Sequence, residues 1–167
     1  MTIYTIGHGT IEIERYIDLL RRYSIQVLVD ARSQPYSRYA PQFNRETLNT
    51  SLSQANITYL DLGDRLGGRP KDDHYYGQDG KVDYDRLADA PFYRAGIARL
   101  RREAEEYCVA IMCSEADYTK CHRYNLITRT LVHDGVEVQH IVHCGDVVPT
   151  DLNHFRSVPC QLALPFT

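Results

Sequence analysis

Apolar and polar positions follow two periods along the chain, and their alternation predicts strands and helices in turn. Short runs that are almost wholly apolar are typical of strands covered on both faces of a sheet. Residues 25–29 form such a run, and we expect further strands at residues 3–6, 57–60, 107–112 and 136–142, which makes five in all. Runs with apolar residues three or four positions apart predict helices with one buried face. We expect these at residues 13–23, 91–107 and 118–133, with Thr10 as the N-cap of the first, and a shorter helix capped by Asn44.

The order of these elements predicts the fold class. Strands that alternate with helices form a mostly parallel sheet with helices on both faces, joined by right-handed crossovers. We therefore expect a single-domain, three-layer α/β fold with a five-stranded sheet over residues 1–145 and a C-terminal extension over residues 146–167. Residues 61–83 hold five glycines and many charges. This indicates a long irregular loop, and such loops in compact domains are usually functional or disordered.

Composition narrows the class of protein. The chain has 167 residues, of which 43% are hydrophobic and 25% charged, values typical of a soluble globular protein. No apolar run approaches the roughly 20 residues that a membrane span needs, and no signal peptide is expected. Five cysteines, an odd number, favour reduced thiols in the cytoplasm over a disulfide framework. The net charge of -3 argues against binding driven by a general positive field, although it is compatible with a local basic patch.

The densest chemistry lies between the fourth predicted strand and the helix that follows it. Residues 112–123 hold two thiols, two carboxylates, an imidazole and a guanidinium. Polar clusters also follow the first strand, at residues 7–9, and end the second, at residues 30–32. Parallel strands present their carboxyl ends at one edge of the sheet, where open α/β sheets bind ligands. The three clusters are therefore expected to converge there.

Four side chains at this edge are candidates for catalysis. Glu115 is placed for general acid/base work or nucleophilic attack, or else it compensates a helix dipole. Cys113 would be a nucleophile if nearby amides and cations lowered its pKa, and is otherwise a small buried residue. His8, between two glycines, could handle a second proton or bond to a neighbouring loop. Asp30 could supply a catalytic carboxylate or form an ion pair with a nearby arginine.

Cations, glycines and tyrosines around this edge suggest a surface for an anionic substrate. Arg123 could hold a phosphate or carboxylate through a bidentate fork, or bridge to a neighbouring carboxylate. Adjacent residues on a helix point about 100° apart, so only one of His122 and Arg123 is expected to face the site squarely. Arginine and tyrosine together are typical of grooves that stack bases and contact phosphates. The predicted substrate-binding residues are Arg32, Arg38, Gly67, Gly68, His122 and Arg123, with Tyr36, Tyr39, Tyr75 and Tyr76 near them in sequence.

Zinc donors also occur along this edge. Those of suitable chemistry are His8, Cys113, Cys121 and His122. The gap between the two cysteines is not a CxxC spacing, and Cys121 falls on the predicted core face of its helix. A further group near the end of the fifth strand consists of His140, His143 and Cys144. We therefore predict no cofactor, with zinc as the alternative.

Several separated motifs occur in a fixed order along the chain. They are residues 5–9, residues 29–32 with Pro35 and residues 37–38, residues 66–68, and the block 112–123. In this order they resemble the DUF488 family, a domain of unknown function, from about Thr2 to Ile141. The resemblance implies an α/β domain whose polar motifs form one shared site, and it implies no particular reaction.

The last residues carry a separate signal. Gln161, Leu162, Leu164 and Phe166 fill the positions of the bacterial sliding-clamp-binding motif, which this tail resembles. In that binding mode an extended peptide places apolar anchors in a preformed pocket while the glutamine bonds at its rim. The alternative is a last strand or strap that packs on its own domain. The resemblance implies the DNA polymerase sliding clamp as a partner.

Taken together, these features predict an enzyme that acts on nucleic acid or a nucleotide, at a base–sugar or phosphate centre, as in DNA repair. It would be of the hydrolase or glycosyl-transfer type and would work in the cytoplasm. One alternative is a module that binds modified or damaged nucleic acid without chemistry. Another is a thiol- or metal-dependent enzyme of small metabolites.

Overall fold

A six-stranded sheet organises the chain. The computed structural model describes residues 1–156, so the predicted clamp-binding residues 161–166 lie outside the described part. The strands are β1 (Thr2–Gly7), β2 (Val27–Asp30), β3 (Thr58–Asp61), β4 (Val109–Cys113), β5 (Glu137–Ile141) and β6 (Val147–Pro149). They lie in the order β3-β2-β4-β1-β5-β6, with β1 to β5 parallel and β6 antiparallel to β5. The predicted mostly parallel α/β sheet is therefore confirmed.

The sheet has one strand more than the five that the hydrophobic pattern predicts. β6 has only three residues, too few to show a period of two, and it returns from β5 through a tight hairpin. In that turn the Val142 amide donates to the Asp146 carbonyl at 3.0 Å, and the Gly145 amide donates back to Val142 at 2.9 Å. Gly145 has a φ of 103°, which favours glycine. This hairpin brings part of the segment assigned to the C-terminal extension into the sheet.

Helices connect the strands. Among residues 1–156 the α-helices are α1 (Ile13–Arg22), α2 (Arg45–Gln54), α3 (Gly63–Leu66), α4 (Tyr84–Ala88), α5 (Pro91–Glu106), α6 (Arg129–His133) and α7 (Leu152–Arg156). Short 3₁₀ turns occur at Pro41–Phe43, Asp73–Tyr75 and Tyr118–Lys120. The predicted irregular segment 61–83 therefore contains two short helical turns. No helix of the described chain is long and apolar enough to cross a membrane.

The helix predicted over residues 118–133 is divided into three parts. After the 3₁₀ turn, Arg123–Thr128 is a π-helix that runs directly into α6. The Thr128 hydroxyl donates to the Arg123 carbonyl five residues earlier, at 2.7 Å. Periodicity could not predict this break, because the apolar residues on both sides of it remain buried. We name residues 123–133 the post-β4 helix.

The predicted N-cap at Thr10 is wrong, whereas Asn44 holds its predicted N-cap position without a side-chain bond to its own helix. α1 begins at Ile13 with Glu12 at the N-cap position, and no side chain caps it. Asn44 does hold the N-cap position of α2, but its side-chain oxygen accepts from the Ser37 amide at 2.8 Å rather than from its own helix. Asn44 therefore fastens the proline-containing loop 33–42 to the start of α2.

Buried side chains on the two faces of the sheet form two apolar clusters. In β4, Val109 and Ile111 join one cluster while Ala110 and Met112 join the other, as alternation along a doubly covered strand requires. Residues of α3, α4, α5 and the post-β4 helix complete the first cluster. Residues of α1 and α2 complete the second. Helices therefore cover both faces and leave the carboxyl edge of the sheet as the place for polar groups.

Candidate functional site

The three polar clusters converge at the carboxyl edge of the sheet. β4 lies between β2 and β1, with Asp30 in register with Met112 and Gly7 in register with Cys113. Pairing continues past the strand ends, because the His8 amide donates to the Cys113 carbonyl at 3.0 Å. The loops after β1 and β4 therefore leave the sheet side by side.

A cleft of about 410 Å³ lies where these two loops leave the sheet. From β1 the chain crosses through α1 to β2, whereas from β4 it crosses through the post-β4 helix to β5, on the other side of β1. Each crossover passes over the neighbouring strand, and the two lie on opposite faces of the sheet, since α1 and the post-β4 helix belong to different apolar clusters. Adjacent strands that send their crossovers to opposite faces mark the position at which open α/β sheets bind ligands. We name this the β1–β4 cleft, and its polar lining comes from His8, Thr10, Ser37, Tyr39, Ser114, Glu115 and His143.

Asp30 and Arg32 form a buried ion pair beneath the cleft. Arg32 Nε donates to Asp30 Oδ1 at 2.9 Å and Arg32 Nη2 to Asp30 Oδ2 at 2.7 Å. The Tyr59 hydroxyl donates to the same Oδ2 at 2.6 Å, and burial raises the pKa of Tyr59 so that it stays protonated. Asp30 is fully buried and both of its oxygens are engaged. The structure therefore supports the ion-pair alternative for Asp30, whose carboxylate orients the Arg32 side chain.

His8 lies between this ion pair and the cleft. Its ring stacks on Phe43 with the ring centres 4.5 Å apart. Nδ1 donates to the Gly9 carbonyl at 2.6 Å, and Nε2 accepts from Arg32 Nη1 at 3.3 Å, which together define the tautomer. Burial lowers the pKa of His8 to about 4, so the ring is neutral at physiological pH. His8 is therefore a fixed, neutral imidazole with both nitrogens engaged.

Glu115 and His143 face the same cleft from different loops. Glu115 is exposed, and its backbone carbonyl accepts from Arg123 Nη2 at 3.0 Å, which fixes the segment that carries its carboxylate. His143 Nε2 donates to the Gly7 carbonyl at 2.6 Å, leaving the lone pair of Nδ1 as the acceptor. The sequence predicts His143 only as a possible metal donor. Its place was foreseeable, because it follows β5, which neighbours β1 at the same edge.

Two glycines allow these loops to approach. A Cβ at Gly7 would collide with the Glu115 carbonyl oxygen and lie 2.8 Å from Arg123 Nη2. Gly9 has a φ of 51°, and a Cβ there would lie 3.1 Å from the His143 ring. The predicted loop glycines at residues 7 and 9 therefore bring Glu115 and His143 close to β1, as their lack of side chains permits.

Arg123 is fully buried behind the wall that Glu115 forms. Nη1 donates to the Thr5 hydroxyl at 2.7 Å, and Nη2 donates to the carbonyls of Glu115 at 3.0 Å and Ala116 at 3.4 Å. Burial lowers the pKa of Arg123 to about 10, which leaves the group charged at neutral pH. The guanidinium therefore holds the loop after β4 in place. Neither sequence alternative for Arg123, a substrate fork or a bridge to a carboxylate, describes these contacts.

A chain of hydrogen bonds leads from Arg123 across the sheet. The Thr5 hydroxyl donates to His140 Nδ1 at 2.7 Å, and His140 Nε2 donates to the Thr150 hydroxyl at 3.0 Å. That hydroxyl donates to the Val138 carbonyl at 2.7 Å. Burial lowers the pKa of His140 to about 3, with Arg123 as the second cause. His140 is therefore a neutral link between β1 and the end of β6, separate from His143 and its cleft.

Cys113, Cys121 and His122 lie together beside the cleft wall. Both cysteines are buried, and their Sγ atoms lie within bonding distance of each other. His122 Nδ1 is 3.6 Å from Cys121 Sγ, while Nε2 donates to the Ala31 carbonyl at 2.9 Å. Burial lowers the pKa of His122 to about 4. Within residues 1–156 these three side chains are the group with metal-binding geometry, and His8 is not part of it.

The other predicted substrate-binding residues lie around this centre. Arg38 is exposed and is adjacent in sequence to Tyr39 of the cleft. A Cβ at Gly67 would collide with the Ser33 hydroxyl, and one at Gly68 would lie 2.7 Å from the His122 ring. Gly67 and Gly68 thus pack loop 66–69 against the loop after β2 and the start of the post-β4 helix, and their role in binding a substrate stays a prediction.

The fold and site define a mostly parallel α/β domain with a polar cleft at its switch point. The chain belongs to the DUF488 family, because the family model, described as a domain of unknown function, matches residues 12–130. This match confirms the predicted family and spans the later motifs, whereas residues 5–9 lie before the matched range. Comparison with curated proteins and comparison with solved structures gave no match.

The Asp30→Asn substitution is expected to destabilise the fold by about 3–5 kcal/mol, because it leaves the Arg32 charge buried without its counter-ion. The matched control is Asp85→Asn, which removes the exposed partner of Arg129 and should cost about 0–1 kcal/mol. Urea unfolding measures both changes. Equal effects of the two substitutions would contradict the structural role of the buried pair.

The free energy of unfolding is expected to decrease as the pH is lowered, because histidines that are buried and neutral in the folded chain take up protons when it unfolds. The unfolded chain binds a proton at His140 near its ordinary pKa of 6.5, whereas the folded chain does so only near 3. Stability is therefore full above about pH 6.5 and is lost as the pH falls toward 3. His140→Gln should make the dependence shallower by about 1.4 kcal/mol per pH unit between pH 6 and 4, measured by urea unfolding. The exposed control His74→Gln should keep the wild-type slope, and an unchanged slope in both variants would refute the assignment.

Proposed function

We propose that the protein is an enzyme of hydrolase or glycosyl-transfer type that acts on nucleic acid or a nucleotide in the β1–β4 cleft. The observation that supports this most is the meeting of Glu115, His143 and His8 at one cleft on the carboxyl edge of the sheet. These groups come from the loops after β4, β5 and β1, three neighbouring strands. Convergence of this kind is typical of α/β active sites.

Glu115 acts as the acid/base or nucleophile of the proposed reaction. It is the exposed carboxylate of the cleft, so a substrate can reach it, and its backbone is fixed by Arg123. A carboxylate beside a base–sugar or phosphate centre can transfer a proton or attack the centre. The free Nδ1 of His143 accepts a proton in the same cleft. Both nitrogens of His8 are engaged, so His8 lines the cleft and holds Arg32 in place instead of acting as a second group that transfers protons.

A buried positive charge favours an anionic ligand in this cleft. The guanidinium of Arg123 lies directly behind the wall, and its partners are a hydroxyl and two carbonyls instead of a carboxylate. Its charge is therefore not neutralised by those contacts and acts through a medium of low dielectric. Arg38 adds an exposed cation near the rim. These charges are local and are compatible with the net charge of -3.

Exposed tyrosines provide a surface on which a base can stack. Tyr39 lines the cleft and is 82% exposed, and Tyr36 nearby is 54% exposed. The Tyr36 hydroxyl donates to Glu46 at 2.8 Å, which holds its ring on the surface. Aromatic rings beside cations are the usual means of binding single-stranded nucleic acid.

The engaged nitrogens of His8 favour a second candidate, a module that binds modified or damaged nucleic acid without chemistry. Such a module uses Tyr39 and Arg38 but needs no acid or base at Glu115. Thiol catalysis in the cleft is the weaker alternative, because Cys113 is buried outside its lining. The sliding clamp stays a proposed partner, through Gln161, Leu162, Leu164 and Phe166, on sequence alone.

Turnover tests the enzymatic proposal. The probes are end-labelled single- and double-stranded oligonucleotides, unmodified or containing uracil, hypoxanthine or an abasic site, together with a set of free nucleotides. Glu115→Gln is expected to lower turnover by about 10²–10⁴-fold, because it removes the proton-transfer group. Glu105→Gln, an equally exposed change on α5, should leave turnover unchanged. Absence of turnover on every probe, or equal rates for the two variants, would refute the proposed chemistry.

Binding is measured by fluorescence anisotropy with a labelled single-stranded oligothymidylate. Tyr39→Ala should raise Kd by roughly 5–150-fold, the equivalent of losing one stacked base at about 1–3 kcal/mol. Tyr107→Ala removes a tyrosine that is 45% exposed at the other edge of the sheet and should leave Kd unchanged. Binding that depends on Tyr39 without any turnover would favour the binding module. Binding that is insensitive to Tyr39 would contradict both candidates.

A further inference from the structure

We propose that Cys113, Cys121 and His122 bind a zinc ion beside the wall of the β1–β4 cleft. Cys113 ends β4, and the other two residues directly precede the post-β4 helix. The donor atoms of the three side chains all lie within 4.8 Å of one another. The proposal goes beyond the proposed function and does not depend on it.

The orientation of His122 is that of a metal ligand. Nε2 carries the proton that is donated to the Ala31 carbonyl at 2.9 Å, so Nδ1 keeps its lone pair. Histidines that bind metals almost always donate their other N–H to a carbonyl or carboxylate in this way. Nδ1 lies 3.6 Å from Cys121 Sγ. A tetrahedral zinc ion with Zn–S of about 2.3 Å and Zn–N of about 2.0–2.1 Å separates its sulfur and nitrogen ligands by about 3.6 Å.

The backbone separation of the two cysteines also fits an ion between them. Their Cα atoms are 7.6 Å apart. Disulfides usually join Cα atoms about 4.4–6.8 Å apart, and beyond about 7 Å the backbone must move to close the bond. A zinc ion links two sulfurs through two bonds instead of one and so accepts the wider separation. Because the Sγ atoms lie within bonding distance, a disulfide is the competing state.

The surroundings favour thiolates, which zinc requires. Cys121 Sγ accepts a hydrogen bond from the Arg123 amide at 3.5 Å, at the start of the post-β4 helix. A backbone amide placed in this way stabilises the thiolate form of cysteine. Two thiolates and one imidazole are a ligand set that favours zinc over the harder divalent ions, and two thiolates neutralise its charge.

A bound ion would fix the loop that carries Glu115. Residues 114–120 lie between the two cysteines, so the ion would close this loop onto the start of the post-β4 helix. Gly68 allows loop 66–69 to pack against the His122 ring on the other side. Three protein donors leave one coordination position for water or another ligand. His122, Cys113 and Cys121 are positioning residues in this account.

The metal content of the full-length protein tests the site directly. Protein purified under reducing conditions is expected to contain about one zinc per chain by plasma mass spectrometry, as a stoichiometric site requires. Cys113→Ser and Cys121→Ser should each lower this content at least about tenfold, in the range that loss of a ligand produces. Cys144→Ser removes an exposed free thiol and should retain the full content.

A second measurement on the unmutated chain keeps the proposal falsifiable if the variants do not fold. Reduced, metal-free protein is titrated with Co²⁺, and the near-ultraviolet band of sulfur-to-cobalt charge transfer is recorded. A band that saturates at one equivalent, together with protection of Cys113 and Cys121 from alkylation, supports the site. Absence of the band would overturn the proposal. Protein that contains no metal and stays two hydrogens lighter than the fully reduced chain, even when kept under reducing conditions, would overturn it in favour of the disulfide. Neither readout involves a nucleic-acid substrate, so failure here is distinct from failure of the proposed reaction.

Discussion

The buried guanidinium of Arg123 is the interaction on which the cleft depends. A charge taken out of water needs hydrogen-bond partners. Here a hydroxyl of β1 and two carbonyls of the loop after β4 accept from Nη1 and Nη2 of Arg123, whereas its Nε has no partner among the described residues. The same hydroxyl passes the hydrogen bonding on to His140 in β5. One side chain thereby joins two strands and the loop that carries Glu115. The bonds that this buried charge makes hold the loop after β4 in the position where it lines the cleft.

Histidines complete the hydrogen bonding at the same edge. Strand-end carbonyls that lie beyond the sheet ladder need other donors, because an unpaired buried carbonyl is costly. His143 donates to Gly7, His122 donates to Ala31, and His8 donates to Gly9. Because one ring nitrogen of each histidine donates its proton to a carbonyl, the other ring nitrogen keeps its lone pair and can act as an acceptor. The backbone at the carboxyl edge thus sets the chemistry that each imidazole can offer.

The sequence predicted the part of this arrangement that follows from periodicity and topology. The five predicted strands form the parallel part of the sheet, and their shared edge brings residues 7–9, 30–32 and 113–115 together. It could not choose between alternatives that differ only in local geometry, such as catalysis or ion pairing for Asp30. It missed the β6 hairpin because three residues show no period. It named His143 as a zinc donor but not as a residue of the cleft, because the loop after β5 was not placed at the shared edge.

The π-helix at Arg123–Thr128 has a consequence for how such a site can change. A π-helix amounts to an extra residue within a helix, and it gives the segments before and after it separate rotational settings. Here Cys121, His122 and Arg123 face the sheet edge, while Ile127 and Leu131 remain in the apolar core. Inserting or deleting one residue at this point can therefore rotate Cys121, His122 and Arg123 relative to the sheet edge while Ile127 and Leu131 keep their packing in the core.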